Sequence, residues 1–153
     1  LAAMAKIVGF HVTVMDDREE FCNSERFPTA DQCLVGEIPE LLQNWKITRN
    51  TYITIVTRGH EHDQIALEKT LLSGAYYLGM IGSEIKVQTI FNNLMEKGFT
   101  EKDLEKVHAP IGLDIKAITA EEIAVSILAQ LIFEKNKAKA FKGVKFKKNT
   151  CPA

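Results

Sequence analysis

Apolar residues in this chain fall into short runs separated by polar stretches of helical period. His11-Val12-Thr13-Val14-Met15 is β-rich and closes in Asp16-Asp17, which predicts a strand ending on acidic side chains. Residues 18–30 are polar, lack a sustained period and contain Pro28, so they read as a connecting loop with at most a turn of helix. A short strand is expected at Gln32–Val35 and a brief helix over Ile38–Asn44; Tyr52–Thr57 is a strand with little polarity on either face, as buried parallel strands require. Helical spacing returns at Ile65, Leu67, Leu71 and Leu72 until Ser73-Gly74, and Ala75–Ile81 is another buried strand closing in Gly82-Ser83. Val87, Ile90, Phe91 and Leu94 mark one face of a helix stopped by Gly98, Thr100–Lys106 forms a short polar helix, and Pro110–Ile115 forms a loop. Thr119-Ala120-Glu121-Glu122 is a capping box, opening a helix whose Ile123, Ala124, Ile127, Leu128, Leu131 and Ile132 form a wide apolar stripe.

Strands alternating with helices predict one α/β domain over residues 1–134, doubly wound, with a mostly parallel Rossmann-like sheet. Leu1–Gly9 reads as the last turns of an amphipathic helix closed by Gly9, without an N-cap or a strand before it. The expectation is therefore that the first strand and Gly-rich loop of such a sheet are absent from this chain.

Composition narrows the class. At 153 residues with 46% hydrophobic and 25% charged content, the chain excludes disorder, collagen and coiled coil. No apolar run approaches the roughly 20 residues a bilayer demands, and no basic segment precedes an apolar one as in a signal peptide, which predicts no membrane association and a cytoplasmic location. Cys22, Cys33 and Cys151 are odd in number and widely spaced, a pattern of reduced thiols rather than of a disulfide framework or zinc site. The net charge of −1 hides an asymmetry, because seven lysines follow Glu134, the last acidic residue. The basic tail, residues 135–153, carries only Phe141 and Phe146 as aromatics and no Arg, which suits a solvated or docking tail and no nucleic acid.

Ligands of doubly wound sheets bind outside the carboxyl ends of the strands, which selects three segments. Asp16-Asp17-Arg18 lies where a carboxylate accepts hydrogen bonds from a ribose in a Rossmann unit, although an acidic pair is also common turn chemistry. In Thr57-Arg58-Gly59-His60-Glu61-His62-Asp63, two histidines and an aspartate are metal-ligand types. Their spacing of two suits a loop, and no distant Cys or Glu cluster partners them, so no metal is expected. Asp63 or its neighbours would cap the following helix while Arg58 and His60 reach into the crevice, toward phosphate or carboxylate or, for His60, as a proton donor. In Gly79-Met80-Ile81-Gly82-Ser83 with Lys86, Gly82 lets a ligand approach, Ser83 caps the helix and Lys86 adds charge to its N-terminus; the alternative is a strand-to-helix turn whose Gly and Ser serve geometry alone. No recognisable nucleophile pattern is present, and no catalytic residue is assigned.

Taken in order, these segments resemble the C-terminal domain of the XdhC/CoxI family, the xanthine dehydrogenase accessory factors. The likeness rests on Gly9-Phe10 with Val12-Thr13-Val14 and Asp16-Asp17-Arg18, on Glu25-Arg26-Phe27-Pro28 with Ala30-Asp31, on Thr57–Asp63, on Leu78–Ser83 with Lys86, on Pro110–Ile115, and on Glu121–Ile127. It departs where Glu84 and Ile85 replace the family's basic residues, and where the chain opens within the helix that follows the family's GGGHVG loop. The resemblance implies a cofactor-binding chaperone more than a turnover enzyme. It would bind the molybdenum cofactor, assist its sulfuration and pass it to a molybdenum hydroxylase apoenzyme, with a cysteine desulfurase as a further partner. The cofactor-binding residues would be Asp16, Asp17, Arg18, Thr57, Arg58, Gly59, His60, Gly79, Gly82, Ser83 and Lys86. Two alternatives stand beside it: an NAD(P)-dependent oxidoreductase, although NAD(P) lacks a Gly-rich loop here, and an interaction domain forming a homodimer through the helix from Thr119 to Lys135.

Overall fold

A computed structural model describes residues 1–137; the tail from 138 onward, including Lys139 to Lys148 and Cys151, lies outside the described residues. The order is α1 (Ala2–Ile7), β1 (Thr13–Asp16), β2 (Gln32–Val35), α2 (Ile38–Asn44), β3 (Tyr52–Ile55), α3 (His60–Thr70), β4 (Tyr77–Met80), α4 (Glu84–Glu96), α5 (Glu101–Leu104), β5 (Val107–His108) and α6 (Ala120–Lys137). All strand pairs are parallel, as the alternation predicts.

Local signals set most boundaries. Gly9 N–H to Lys6 O and Phe10 N–H to Ala5 O, each 3.0 Å, close α1 in a Schellman arrangement. Ser83 Oγ accepts from Lys86 N–H at the start of α4, and Thr100 with Asp103 forms a capping box on α5. The box expected on α6 is present too: Glu122 N–H donates to Thr119 Oγ1 at 3.2 Å and Thr119 N–H to Glu122 Oε2 at 3.0 Å.

Side-chain alternation along β4 explains the two-sided winding. Leu78 and Met80 face a core with Ile55, Leu67, Val87, Ile90 and Leu94, so α3 and α4 cover one face. Tyr77 points the other way, into a second core with Ile111, Ile127 and Leu131, so α6 covers the opposite face. Tyr77 Oη donates to Gln130 Oε1 at 2.5 Å, and the same oxygen accepts from Gly112 N–H at 2.8 Å. One half-buried amide thus fastens α6 to both β4 and the 110–115 loop.

The sheet itself departs from a single expected ladder. β1 pairs β2, while β3, β4 and β5 form a second ladder in that order. β5 has no counterpart in the hydrophobic pattern, because Val107 and His108 offer too few residues to show a period of two.

Candidate functional site

The carboxyl ends of β1, β3 and β4 bring the three selected segments together. At β1, Arg18 folds back on Asp16: its Nε lies 2.9 Å from Asp16 Oδ1 and its second guanidinium nitrogen 3.1 Å from Oδ2, while its backbone N–H donates to Oδ1 at 3.0 Å. The Arg18 guanidinium holds the Asp16 carboxyl below the usual carboxylate range against the opposing effect of burial. Arg18 also covers the Phe21 ring at 3.8 Å. Asp16 therefore has both oxygens engaged, and the acceptor beside it is Asp17, whose Oδ1 lies 3.6 Å from Arg18 Nε.

Asp17 crosses between the two ladders. Its Oδ2 accepts from Arg58 at 2.9 Å, tying the end of β1 to the end of β3. The Arg58 side chain nevertheless remains 50% exposed. It stands directly before Gly59, the N-cap of α3, which supplies no side-chain cap. The backbone N–H groups at the start of α3 thus have no side-chain acceptor, and the positive end of the helix lies next to a half-open guanidinium.

The segment His60–Asp63 corrects the expectation of a loop: it is the first turn of α3. Glu61 and Asp63 favour that turn through the helix dipole. Asp63 does not cap it, however. Its carboxylate is fully buried and reaches back past the N-cap, accepting from Thr57 N–H at 3.0 Å and Thr57 Oγ1 at 2.6 Å. Its second oxygen takes the Lys86 ammonium, whose side chain is only 14% exposed. Lys86, expected as free positive charge at the α4 N-terminus, is thus neutralised from the neighbouring helix, because a buried ammonium needs a partner. The Thr57…Asp63 spacing is the only hint in the sequence of this inward role.

Gly79 lies in the middle of a buried strand. A Cβ there would sit 2.6 Å from Ile111 Cδ1 and 2.7 Å from Tyr77 Oη, so close packing of the 110–115 loop on β4 accounts for the glycine. Gly79→Ala is expected to destabilise the fold by about 1–3 kcal/mol through overpacking, read as a lowered urea midpoint; an unchanged midpoint would show that Ile111 can withdraw freely. At Gly82 the nearest atom to such a Cβ is Lys86 Cδ at 3.0 Å, on a flexible side chain. Gly82 and the exposed Ser83 form the lip of the crevice, with the Ser83 hydroxyl occupied at the helix start. Exposed His60 opens the first turn of α3.

A family model described as the XdhC Rossmann domain matches residues 1–131. The YqeB protein of Escherichia coli K12 is 34% identical over 139 residues, covering 90% of this chain and 25% of that protein. A probable xanthine dehydrogenase subunit from Bacillus subtilis 168 is 29% identical over 132 residues, covering 86% and 38%. The crystal structure of a xanthine dehydrogenase from Bacillus halodurans superposes with a TM-score of 0.78 at 29% identity, covering 93% of this chain and 40% of that one. The chain spans a quarter to two fifths of the length of these relatives. The likeness agrees in fold with the parallel, doubly wound arrangement. The chain belongs to the XdhC family, as its Rossmann domain.

Proposed function

We propose that this domain acts as an accessory factor for molybdenum hydroxylases, taking the molybdenum cofactor as cargo in the crevice described above. Assistance in its sulfuration, with a cysteine desulfurase as sulfur source, and transfer to an apoenzyme such as a xanthine dehydrogenase belong to the same reading. So do a cytoplasmic location and a homodimer. The observation that carries it is Arg58, half exposed at the uncapped N-terminus of α3.

A phosphate group of the cargo suits that corner, since a guanidinium and helix N–H groups together favour an oxyanion. Thr57, Gly59 and His60 form its wall, and Gly82 and Ser83 the facing lip. Asp17, whose Oδ2 is held by Arg58, offers its Oδ1 to hydroxyl or amine donors of the cargo, whereas Asp16 and Arg18 hold one another and shape the β1 end. Lys86 acts through the buried pair with Asp63, which fixes α3 against α4 beneath the crevice. When bound, the cofactor supplies the metal centre used by the recipient enzyme; this chain's residues bind, orient and release it.

Equilibrium binding and thermal-shift titrations with isolated molybdenum cofactor, NAD(H) and NADP(H), run in parallel, test this reading. The molybdenum cofactor is expected to stabilise the chain, by about 2.7 kcal/mol at 100 times its Kd. Arg58→Ala is expected to weaken that binding about tenfold, the lower end for a charged hydrogen bond because the side chain is half solvated. Unchanged affinity in Arg58→Ala would remove the assignment, and stabilisation by a nicotinamide nucleotide alone would favour a redox enzyme.

A further inference from the structure

Cys22 and Cys33 belong to no CxxC pattern, and nothing in their spacing relates one to the other. The fold brings them to one place. After β1 the chain turns at Arg18, whose carbonyl accepts from Cys22 N–H at 3.0 Å, and drops the Cys22 side chain onto the β1–β2 ladder. There its Sγ lies 3.5 Å from Val14 O and 3.4 Å from Leu34 O. Val14 is the register partner of Cys33, and Leu34 is the next residue along β2. Partners in register project to the same face of a ladder, so Val14 and Cys33 share one. The Cys22 sulfur is therefore seated over the rung beside Cys33. Burial pushes the Cys22 thiol up, and the adjacent Cys33 thiol adds to that effect, as two sulfurs that cannot comfortably both ionise must do. Both are free thiols; Cys22 is 2% exposed and Cys33 is partly open to solvent.

We propose that Cys22 and Cys33 form an oxidisable dithiol that closes to an intrachain disulfide by exchange with a low-molecular-weight disulfide such as oxidised glutathione. Cys33, the accessible member, attacks as its thiolate and forms a mixed disulfide, releasing one glutathione. Cys22 then loses its proton and attacks the Cys33 sulfur, releasing the second glutathione. Two protein thiols become one disulfide, one glutathione disulfide becomes two glutathiones, and the protein's two protons end on the departing thiols. The new bond pins the 18–30 connection to the middle of β2. That connection starts from Asp17 and Arg18, so oxidation would stiffen the β1 wall of the crevice.

The test equilibrates the full chain in glutathione buffers of stepped redox ratio, followed by alkylation, intact mass and peptide mapping. Two of the three thiols are expected to disappear together, with a loss of about 2 Da before alkylation, and the linked peptides to be those of Cys22 and Cys33. Cys151→Ser should behave identically, and Cys33→Ser should lose the bond. A link to Cys151, a glutathione adduct on Cys33 that never resolves in Cys151→Ser, or both thiols surviving a buffer that fully oxidises dithiothreitol would each overturn the proposal. Mapping of Cys151→Ser decides the matter even if Cys33→Ser fails to fold.

Discussion

Replacing Asp63 with alanine is expected to cost about 3–5 kcal/mol of folding stability, the effect of removing one partner from a buried ion pair. The carboxylate is fully buried and serves three donors: Thr57 N–H, Thr57 Oγ1 and the Lys86 ammonium. Without it an ammonium with 14% exposure is stranded at the α3–α4 contact, and the Thr57 N–H loses its acceptor. Folded domains commonly hold only 5–15 kcal/mol in total, so the variant would be marginal. Urea unfolding should show a lower midpoint with little change in slope. Two further variants separate the causes. Asp63→Ala with Lys86→Met removes the stranded charge and should recover part of the loss, whereas Asp63→Asn keeps an acceptor for Thr57 and should cost less than alanine. A loss below about 1 kcal/mol in Asp63→Ala would mean that Lys86 reaches solvent at little cost, and that the pair does not anchor the crevice floor.

Gly112→Ala is the second substitution with a large expected effect, about 3 kcal/mol or more. Two penalties coincide there. The residue has φ of +104°, a backbone conformation that L side chains rarely adopt. In addition, an added Cβ would lie 2.3 Å from Ser126 Oγ and 3.4 Å from Ile127 N. Relieving that overlap means displacing Ser126, which is buried and donates to Leu113 O at 2.6 Å, or lifting α6 from the sheet that Gln130 holds. The double variant Gly112→Ala with Ser126→Ala removes the oxygen but leaves the backbone strained. It should regain the steric share alone, seen as non-additivity in a double-mutant cycle. Full additivity of the two single variants would show that strain at residue 112, not the contact with α6, is the cause.

These two positions show where sequence and tertiary structure divide the work. The elements themselves were legible. Gln32–Val35 and Ile38–Asn44 form where their apolar and turn-forming residues place them, and Ser83, Thr100 and Thr119 cap their helices within three residues of chain. Asp16, Asp17, Arg58, Gly82 and Ser83 could be assigned to one end of the sheet because strand ends in a parallel α/β fold face the same way. Periodicity and capping depend on neighbours within about one helical turn, so a one-dimensional reading suffices for them.

What the chain alone left open depends on partners distant in sequence. Lys86 could have offered its charge to a ligand, but Asp63, on the preceding helix, takes it because burial makes an unpaired ammonium too costly. Gly79 could have admitted a ligand, but Ile111 and Tyr77 fill the space above it. His60–Asp63 could have remained a loop, but Thr57 fastens the turn from outside the helix. Cys22 and Cys33 became neighbours only when the 18–30 connection folded over the β1–β2 ladder. By itself the sequence determined the alternating elements, their caps and the family; the tertiary structure decided which charges are buried against one another, as Lys86 and Asp63 are, and which, like Arg58 beside Asp17, are paired yet half exposed, because desolvation and close packing act on groups that only the folded chain brings into contact.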